Sequence, residues 1–216
     1  SDVPVGTFTL QSSDPSSGFP TTQQVSLVQD QVANTLLQYA GKGSITVTVT
    51  RSTGVPLSGM TVSVSSPNVN TQSLTTDASG VAGPFSNLPL GQSFTITASH
   101  PGSPSALRAS TVLTLGSTQA TASLAMPAFG TVTATITRPN GTLPGANFNA
   151  FLSSTSGSPS FSASANTNAS SQIAFGVVPV GRPFTIRAFR PPTAQFQPTY
   201  GLTSAPFTLA TDGEAL

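Results

Sequence analysis

Cysteine and tryptophan are absent from this chain, histidine and lysine occur once each, and only 6% of its 216 residues are charged. Each shortage closes off a class of function. Without cysteine there are no disulfides and no thiolate chemistry, although the compartment stays open, since many surface proteins use neither. A single histidine, His100, cannot supply the several His or Cys ligands that zinc wants. Seven basic and six acidic residues leave a net charge of +1, with no clustered positive field for nucleic acid or an anionic membrane. Arg51, Arg108, Arg138, Arg182, Arg187 and Arg190 are spread along the chain. Only the last three lie close together, and they read as outward positions beside a strand. No apolar run approaches the roughly 20 residues needed to span a bilayer, and Ser1-Asp2-Val3-Pro4 is not a signal peptide.

Catalytic groups are as scarce. General acid–base chemistry needs paired carboxylates at one site. The acids are Asp2, Asp14, Asp30, Asp77, Asp212 and Glu214, mostly in predicted turns or near the termini, and only the last two are neighbours. His100 sits in His100-Pro101-Gly102, which reads as a solvated loop with nothing resembling a nucleophile elbow around it. The sequence therefore proposes no reaction, no cofactor and no metal.

What the chain does have is repetition. Val3-Pro4-Val5-Gly6 recurs as Leu88-Pro89-Leu90-Gly91 and as Val178-Pro179-Val180-Gly181, each time followed by a strand with Phe-Thr and an aliphatic residue. Independent landmarks keep the same register, as a real repeat requires. Gly43-Ser44-Ile45-Thr46-Val47-Thr48-Val49-Thr50-Arg51 returns as Gly130-Thr131-Val132-Thr133-Ala134-Thr135-Ile136-Thr137-Arg138, and Thr76-Asp77-Ala78-Ser79-Gly80 returns more loosely as Thr167-Asn168-Ala169-Ser170-Ser171. Val25-Ser26-Leu27 stands where Leu113-Thr114-Leu115 and Phe207-Thr208-Leu209 stand. A unit of roughly 85 to 90 residues is a normal size for a small domain. The expected organisation is the later half of a repeat at 1–42, a complete repeat at 43–128, and a repeat at 129–216 that lacks most of its last strand.

Each repeat has an all-β composition, with runs of Val, Ile, Thr and Phe punctuated by Gly, Pro, Ser and Asn. Alternation puts Ile45, Val47 and Val49 on one face of a strand and Val132, Ala134 and Ile136 on its counterpart. The next strands are expected to bury Met60, Val62 and Val64, and Ala146, Phe148 and Ala150. After the Pro-Gly tetrapeptides come Phe94, Ile96 and Ala98, then Phe184, Ile186 and Ala188, with Phe8 and Leu10 in the opening half. Gln29–Tyr39 could pass for a helix, but its alignment with Ser117–Met126 predicts a strand. Short strands at this spacing indicate tandem antiparallel β-sandwiches of the immunoglobulin-like or transthyretin-like kind, strung like beads.

The order of these motifs resembles the carboxypeptidase-regulatory-like domain, a transthyretin-like β-sandwich, and is similar, more distantly, to the B-type repeats of bacterial collagen adhesins and pilins. The resemblance covers 43–128 well, 129–216 fairly and 1–42 as a half domain. It implies a spacer, stalk or accessory module of a secreted bacterial protein, placed at the cell surface, and fold alone does not set function. Collagen-adhesin relatives often carry a Lys–Asn isopeptide promoted by a buried acid. Here the only lysine, Lys42, precedes the first strand of the complete repeat, which contains no Glu, so no isopeptide is expected.

Several residues have structural reasons to be where they are. Asp77 can accept backbone N–H groups while Gly80 takes a positive φ, which reverses the chain. A calcium site at Asp77 would need several more oxygens, and the second repeat has Asn168 there. Gly91 and Gly181 close the turn that follows each proline, and Asp212-Gly213 is a hairpin signal. The sequons at Asn140 and Asn168 lie in predicted turns, where sugar could attach. The threonine ladders Thr46-Thr48-Thr50 and Thr131-Thr133-Thr135-Thr137 suit the wet face of a strand better than an ice-binding surface. For a glycan, the candidate contact aromatics are Phe189, Phe196 and Tyr200.

A half repeat exposes an apolar face and unpaired strand edges. It is expected to be completed either by the rest of a longer chain or by strands from a neighbouring subunit, head to tail. The sequence thus predicts a structural surface or filament module whose partner is itself, with a glycan-binding adhesin module as the alternative.

Overall fold

Alternating Val, Ile, Thr and Phe become strands throughout. The computed structural model contains 16 β-strands and no helix among the residues it describes, which are 3–15, 18–67, 69–103, 107–138, 140–143, 145–146, 148–157, 160–189 and 201–216. No helix among them is long and apolar enough to cross a membrane. The chain forms two compact units. The first comprises Ser1–Val49, Pro56–Ala98 and Ser110–Leu124; the second comprises Thr50–Val55, Ser99–Ala109 and Ala125–Leu216.

The first unit opens with an antiparallel ribbon, β1 (Gly6–Ser13) on β2 (Pro20–Leu27), in which Phe8 lies opposite Val25. Among the described residues its sheet has only these two strands. That is why Phe8 is only partly buried and Leu10 is exposed, contrary to the expectation that both are core. The predicted strand at Gln29–Tyr39 is also absent. A strand exists only through a ladder partner, and this stretch has none among the described residues; its Gln31 N–H instead closes a turn onto the Val28 carbonyl. The ribbon holds its far end, through Ser12 Oγ and Tyr39 Oη at 2.7 Å and an ion pair of Lys42 with Asp14 at 2.9 Å.

Two sheets follow. β3 (Lys42–Thr50) lies between β6 (Val81–Pro89) and β9 (Gln119–Ala125), while β4 (Thr61–Ser66), β5 (Val69–Thr75), β7 (Ser93–Ser99) and β8 (Arg108–Thr114) form the other in the order β5-β4-β7-β8. Ile45, Val47 and Val49 on β3, Val62 and Val64 on β4, and Phe94, Ile96 and Ala98 on β7 are all buried. Each large apolar side chain so buried contributes about 1.5–3 kcal/mol. One neighbour in these two otherwise antiparallel sheets of the first unit is parallel. The Ser44 N–H donates to Thr118 O at 2.9 Å near the start of β3, and the Met126 N–H donates to Thr50 O at 2.9 Å near its end, so β9 runs with β3.

The second unit repeats the plan with β10 (Phe129–Thr135), β11 (Asn149–Ser154), β12 (Ser162–Asn166), β13 (Gln172–Pro179), β14 (Pro183–Phe189), β15 (Gly201–Thr203) and β16 (Phe207–Thr208). β10 pairs with β13; the other sheet has the order β12-β11-β14-β15, with β16 also on β14. One core draws on both sheets, including Val132, Ile136, Ala150, Leu152, Phe175, Phe184 and Ile186. Ala146 lies before β11 and is exposed, so the inward set there is Phe148, Ala150 and Leu152.

Asp212-Gly213 does turn the chain, with the Glu214 N–H donating to Thr211 O at 3.2 Å. It is not a hairpin, however, because it carries the chain from β16 to the edge of β10, in the other sheet. There Glu214–Leu216 run parallel to β10, and Thr131 pairs with Ala215. This crossing explains why glycine recurs at 43 and 130. A Cβ on Gly130 would strike the Glu214 carbonyl oxygen, and one on Gly43 would stand 2.8 and 2.9 Å from the Ser117 and Thr118 oxygens.

Candidate functional site

The chain's polar chemistry concentrates around Asp212, in the second unit. Its side chain is 4% exposed. Oδ1 accepts from the Arg51 guanidinium at 2.7 Å and from the Phe129 N–H at 3.1 Å, while Oδ2 accepts from the Ser52 hydroxyl at 2.8 Å. Arg51 also donates to Phe129 O at 3.1 Å and lies 4.2 Å from the centre of the Phe129 ring, a cation–π contact. His100 meets the same ring edge to face at 5.4 Å. Burial raises the Asp212 pKa, but the Phe129 N–H, Ser52 and Arg51 together outweigh it and hold the carboxyl below its usual range. Burial first, and Arg51 second, push the His100 imidazole down. Its Nδ1 accepts the Gly102 N–H at 3.0 Å, as a neutral ring can.

Serine, histidine and aspartate thus lie near one another without forming a triad. Ser52 bonds Asp212 directly, and His100 packs on Phe129 instead of joining them. Every Asp212 acceptor position in use faces a donor of the fold, so the group is a latch between 51–52, Phe129 and the 211–214 turn. Among the described residues no cluster of three or more His, Cys, Asp or Glu could hold a metal ion.

The turn residues sit as follows. The Asp77 carboxylate accepts the N–H groups of Ser79 at 2.8 Å and Val81 at 3.0 Å, and Gly80 has φ 74°. Asn168 makes the same pair of bonds, to Ser170 and Gln172 at 2.9 and 3.0 Å. Gly91 and Gly181 take φ 80° and 77°, and their N–H groups donate to Leu115 O and Leu209 O. The threonine of the same motif is the part that sequence reasoning missed. Buried Thr76 donates to Leu57 O at 2.6 Å and accepts from the Met60 N–H at 2.9 Å. Thr167 does the same with Gly145 O and the Phe148 N–H. The recurrence of Thr just before Asp or Asn was the available signal.

Of the three candidate aromatics, Phe196 and Tyr200 lie outside the described residues. Phe189, the last residue of β14, stacks on Phe151 of β11 with ring centroids 5.3 Å apart and planes 8° from parallel. Phe151 is 40% exposed. Together with Ser153, Arg187 and Gly201 the pair lines a shallow cleft. The period-2 register of β11, which turns Phe151 outward between buried Ala150 and Leu152, was legible and unused.

Neither a family model nor a curated relative matches the sequence. Among solved structures, the TIE protein of Bacillus anthracis is similar at 18% identity over 100% of this chain, with a TM-score of 0.34. A streptococcal ancillary pilin matches at 12% identity over 99% of this chain and 75% of its own, TM-score 0.37. A minor pilin of Streptococcus agalactiae matches at 13% identity over 81% of this chain and 94% of its own, TM-score 0.39. The chain spans 43% of the length of the first of these. Likenesses of this degree carry no argument about function.

Proposed function

We propose that this chain is a non-catalytic, load-bearing segment of a bacterial cell-surface protein, a spacer or stalk built from carboxypeptidase-regulatory-like repeats at 1–42, 43–128 and 129–216. The observation that carries this reading is the placement of a repeat's first and last strands. β3 and β9 are parallel neighbours, so the chain enters the pair at one end and leaves it at the other. Tension along the chain then slides the two strands past each other, and the bonds across them are loaded together. A hairpin pulled from its open end would instead lose its bonds one at a time. The use of polar groups supports the same reading, because Asp14, Asp77, Asp212 and Glu214 are all engaged in ion pairs or backbone bonds. Antibody against the chain should label intact cells of the source organism. Labelling only after permeabilisation would overturn the proposal.

The stacked Phe151–Phe189 pair favours one second reading, a glycan-binding adhesin module, since the apolar face of a sugar ring packs on exposed aromatic rings. Affinity electrophoresis against a polysaccharide panel separates the two. Retardation by one polysaccharide that Phe151→Ala abolishes supports the adhesin reading, and unchanged mobility in every gel rejects it.

A further inference from the structure

The strands β4 and β7 of the first unit correspond in the repeat to β11 and β14 of the second, and their inward residues match. Phe94-Thr95-Ile96-Thr97-Ala98-Ser99 returns as Phe184-Thr185-Ile186-Arg187-Ala188-Phe189, and Met60-Thr61-Val62-Ser63-Val64 returns as Phe148-Asn149-Ala150-Phe151-Leu152. The buried threonines fix the second alignment, since Thr76 accepts the Met60 N–H and Thr167 accepts the Phe148 N–H. Phe94, Ile96 and Ala98 are buried in one unit, and Phe184, Ile186 and Ala188 in the other. The alternate positions diverge, because Ser63, Thr97 and Ser99 give way to Phe151, Arg187 and Phe189. The first unit builds this sheet with short hydroxyl side chains, so the fold does not require two aromatic rings and an arginine there.

Register brings the three together. Phe151 lies opposite Arg187 across the β11–β14 ladder, with Ser164 of β12 on the far side of Phe151 and Thr203 of β15 on the far side of Arg187. One row across the sheet therefore reads hydroxyl, aromatic ring, guanidinium, hydroxyl. Phe189 stands two residues from Arg187 on the same face and stacks on Phe151. Gly201, opposite Phe189, has nothing within 4 Å of where a Cβ would stand, which leaves that flank open. The cleft beside these residues has a volume of about 580 Å³. Arg187 is exposed, and its guanidinium has no ion-pair partner among the described residues. Residues 78–211 contain five arginines and no Asp or Glu. The next acids, Asp212 and Glu214, are held by Arg51 and by the Ala210 and Thr211 N–H groups.

We propose that this face of the second unit binds an acidic polysaccharide, with a sugar ring packed on the Phe151–Phe189 pair and a ring carboxylate paired with Arg187. The apolar C–H face of a sugar suits the aromatic rings. The guanidinium fork donates in bidentate fashion to a carboxylate, and no acid of the fold competes for it. Ser164 and Thr203, both exposed, offer hydroxyls to the sugar at the two ends of the row. A neutral glycan leaves Arg187 unused, whereas a uronic acid engages the ring pair and the charge at once. The inference rests on the glycan-binding reading of the aromatic pair and adds the charge of its ligand.

Affinity electrophoresis of the 216-residue chain in gels containing polygalacturonate, alginate or hyaluronan tests this. Dextran serves as a sugar ring without charge, and poly-L-glutamate as carboxylates without a sugar ring. At least one acidic polysaccharide should retard the chain, less so as salt is raised, and neither control should. Arg187→Thr and Phe151→Ser, which install the first unit's residues, should each raise the apparent dissociation constant at least about tenfold. Arg187 is exposed, so Arg187→Thr should keep its circular dichroism and denaturation midpoint. Methyl esterification of the retarding polysaccharide should abolish retardation of the unaltered chain, a result that depends on no variant folding. No retardation by any of the acidic polysaccharides, equal retardation by poly-L-glutamate, or undiminished binding by Arg187→Thr or of the esterified polymer would each overturn the proposal. Retardation by dextran that Phe151→Ser abolishes and Arg187→Thr leaves intact would remove the acidic ligand and leave the glycan reading standing; unchanged mobility in every gel would remove both.

Discussion

Asp212 holds a negative charge where little water reaches it, and it does so because three donors of the fold converge on its two oxygens. Removing it leaves Arg51 and the Phe129 N–H without their acceptor. Asp212→Ala should therefore lower stability by about 1.5–3 kcal/mol, measured by urea denaturation at pH 7. Two pH ranges follow from the directions of the shifts. Asp212 has a folded pKa below its ordinary value, so its contribution is present above about pH 4 and is lost as pH falls through the folded value. His100 is also shifted down, so the unfolded chain takes up its proton first, and stability declines as pH drops below about 6.5. Denaturation midpoints between pH 8 and 2 should show both declines. His100→Gln should remove the first, and Asp212→Ala should reduce the second, which Glu214, also held below its usual range by the Thr211 and Ala210 N–H groups, shares.

At the scale of elements, the turn between β5 and β6 shows what the repeat preserves. A Cβ on Gly80 would stand 2.5 Å from the Val49 carbonyl oxygen, at a φ of 74° that disfavours side chains. Gly80→Ala should cost more than about 2 kcal/mol, whereas Gly91→Ala, with open space around its Cβ, should cost about 1 kcal/mol. The second unit accepts Ser171 at the position of Gly80, at φ 59°, where its hydroxyl takes the Gly145 N–H at 2.7 Å. Thr76→Val keeps the shape but strands the Leu57 carbonyl and the Met60 N–H, and should cost about 1–3 kcal/mol by the same denaturation measurement.

Much of this level was legible in the sequence because it is local. Alternation marked Ile45, Val47 and Val49, and the recurring tetrapeptide marked the turns at Gly91 and Gly181. What was not legible depends on contacts distant in sequence. Arg51 meets Asp212 across 161 positions, and His100 finds its Phe129 ring only after folding. Gln29–Tyr39 carries the pattern of a strand, but pattern supplies no ladder partner, and Leu10 alternates correctly on a ribbon that no further described strand joins.

For the molecule as a whole, the parallel placement of first and last strands links the sequence to the proposed role. Glycines at 43 and 130 allow the last strand to cross close to the first, and in the proposed stalk that crossing is what tension would meet. Single-molecule pulling can load the β3–β9 pair in two directions through engineered cysteines. Ser44→Cys with Ala125→Cys holds opposite ends of the pair and shears it; Ser44→Cys with Ser117→Cys holds the same end and peels it apart. The load-bearing account predicts a clearly higher rupture force in the shear geometry. Equal forces, or a weaker shear geometry, would contradict it.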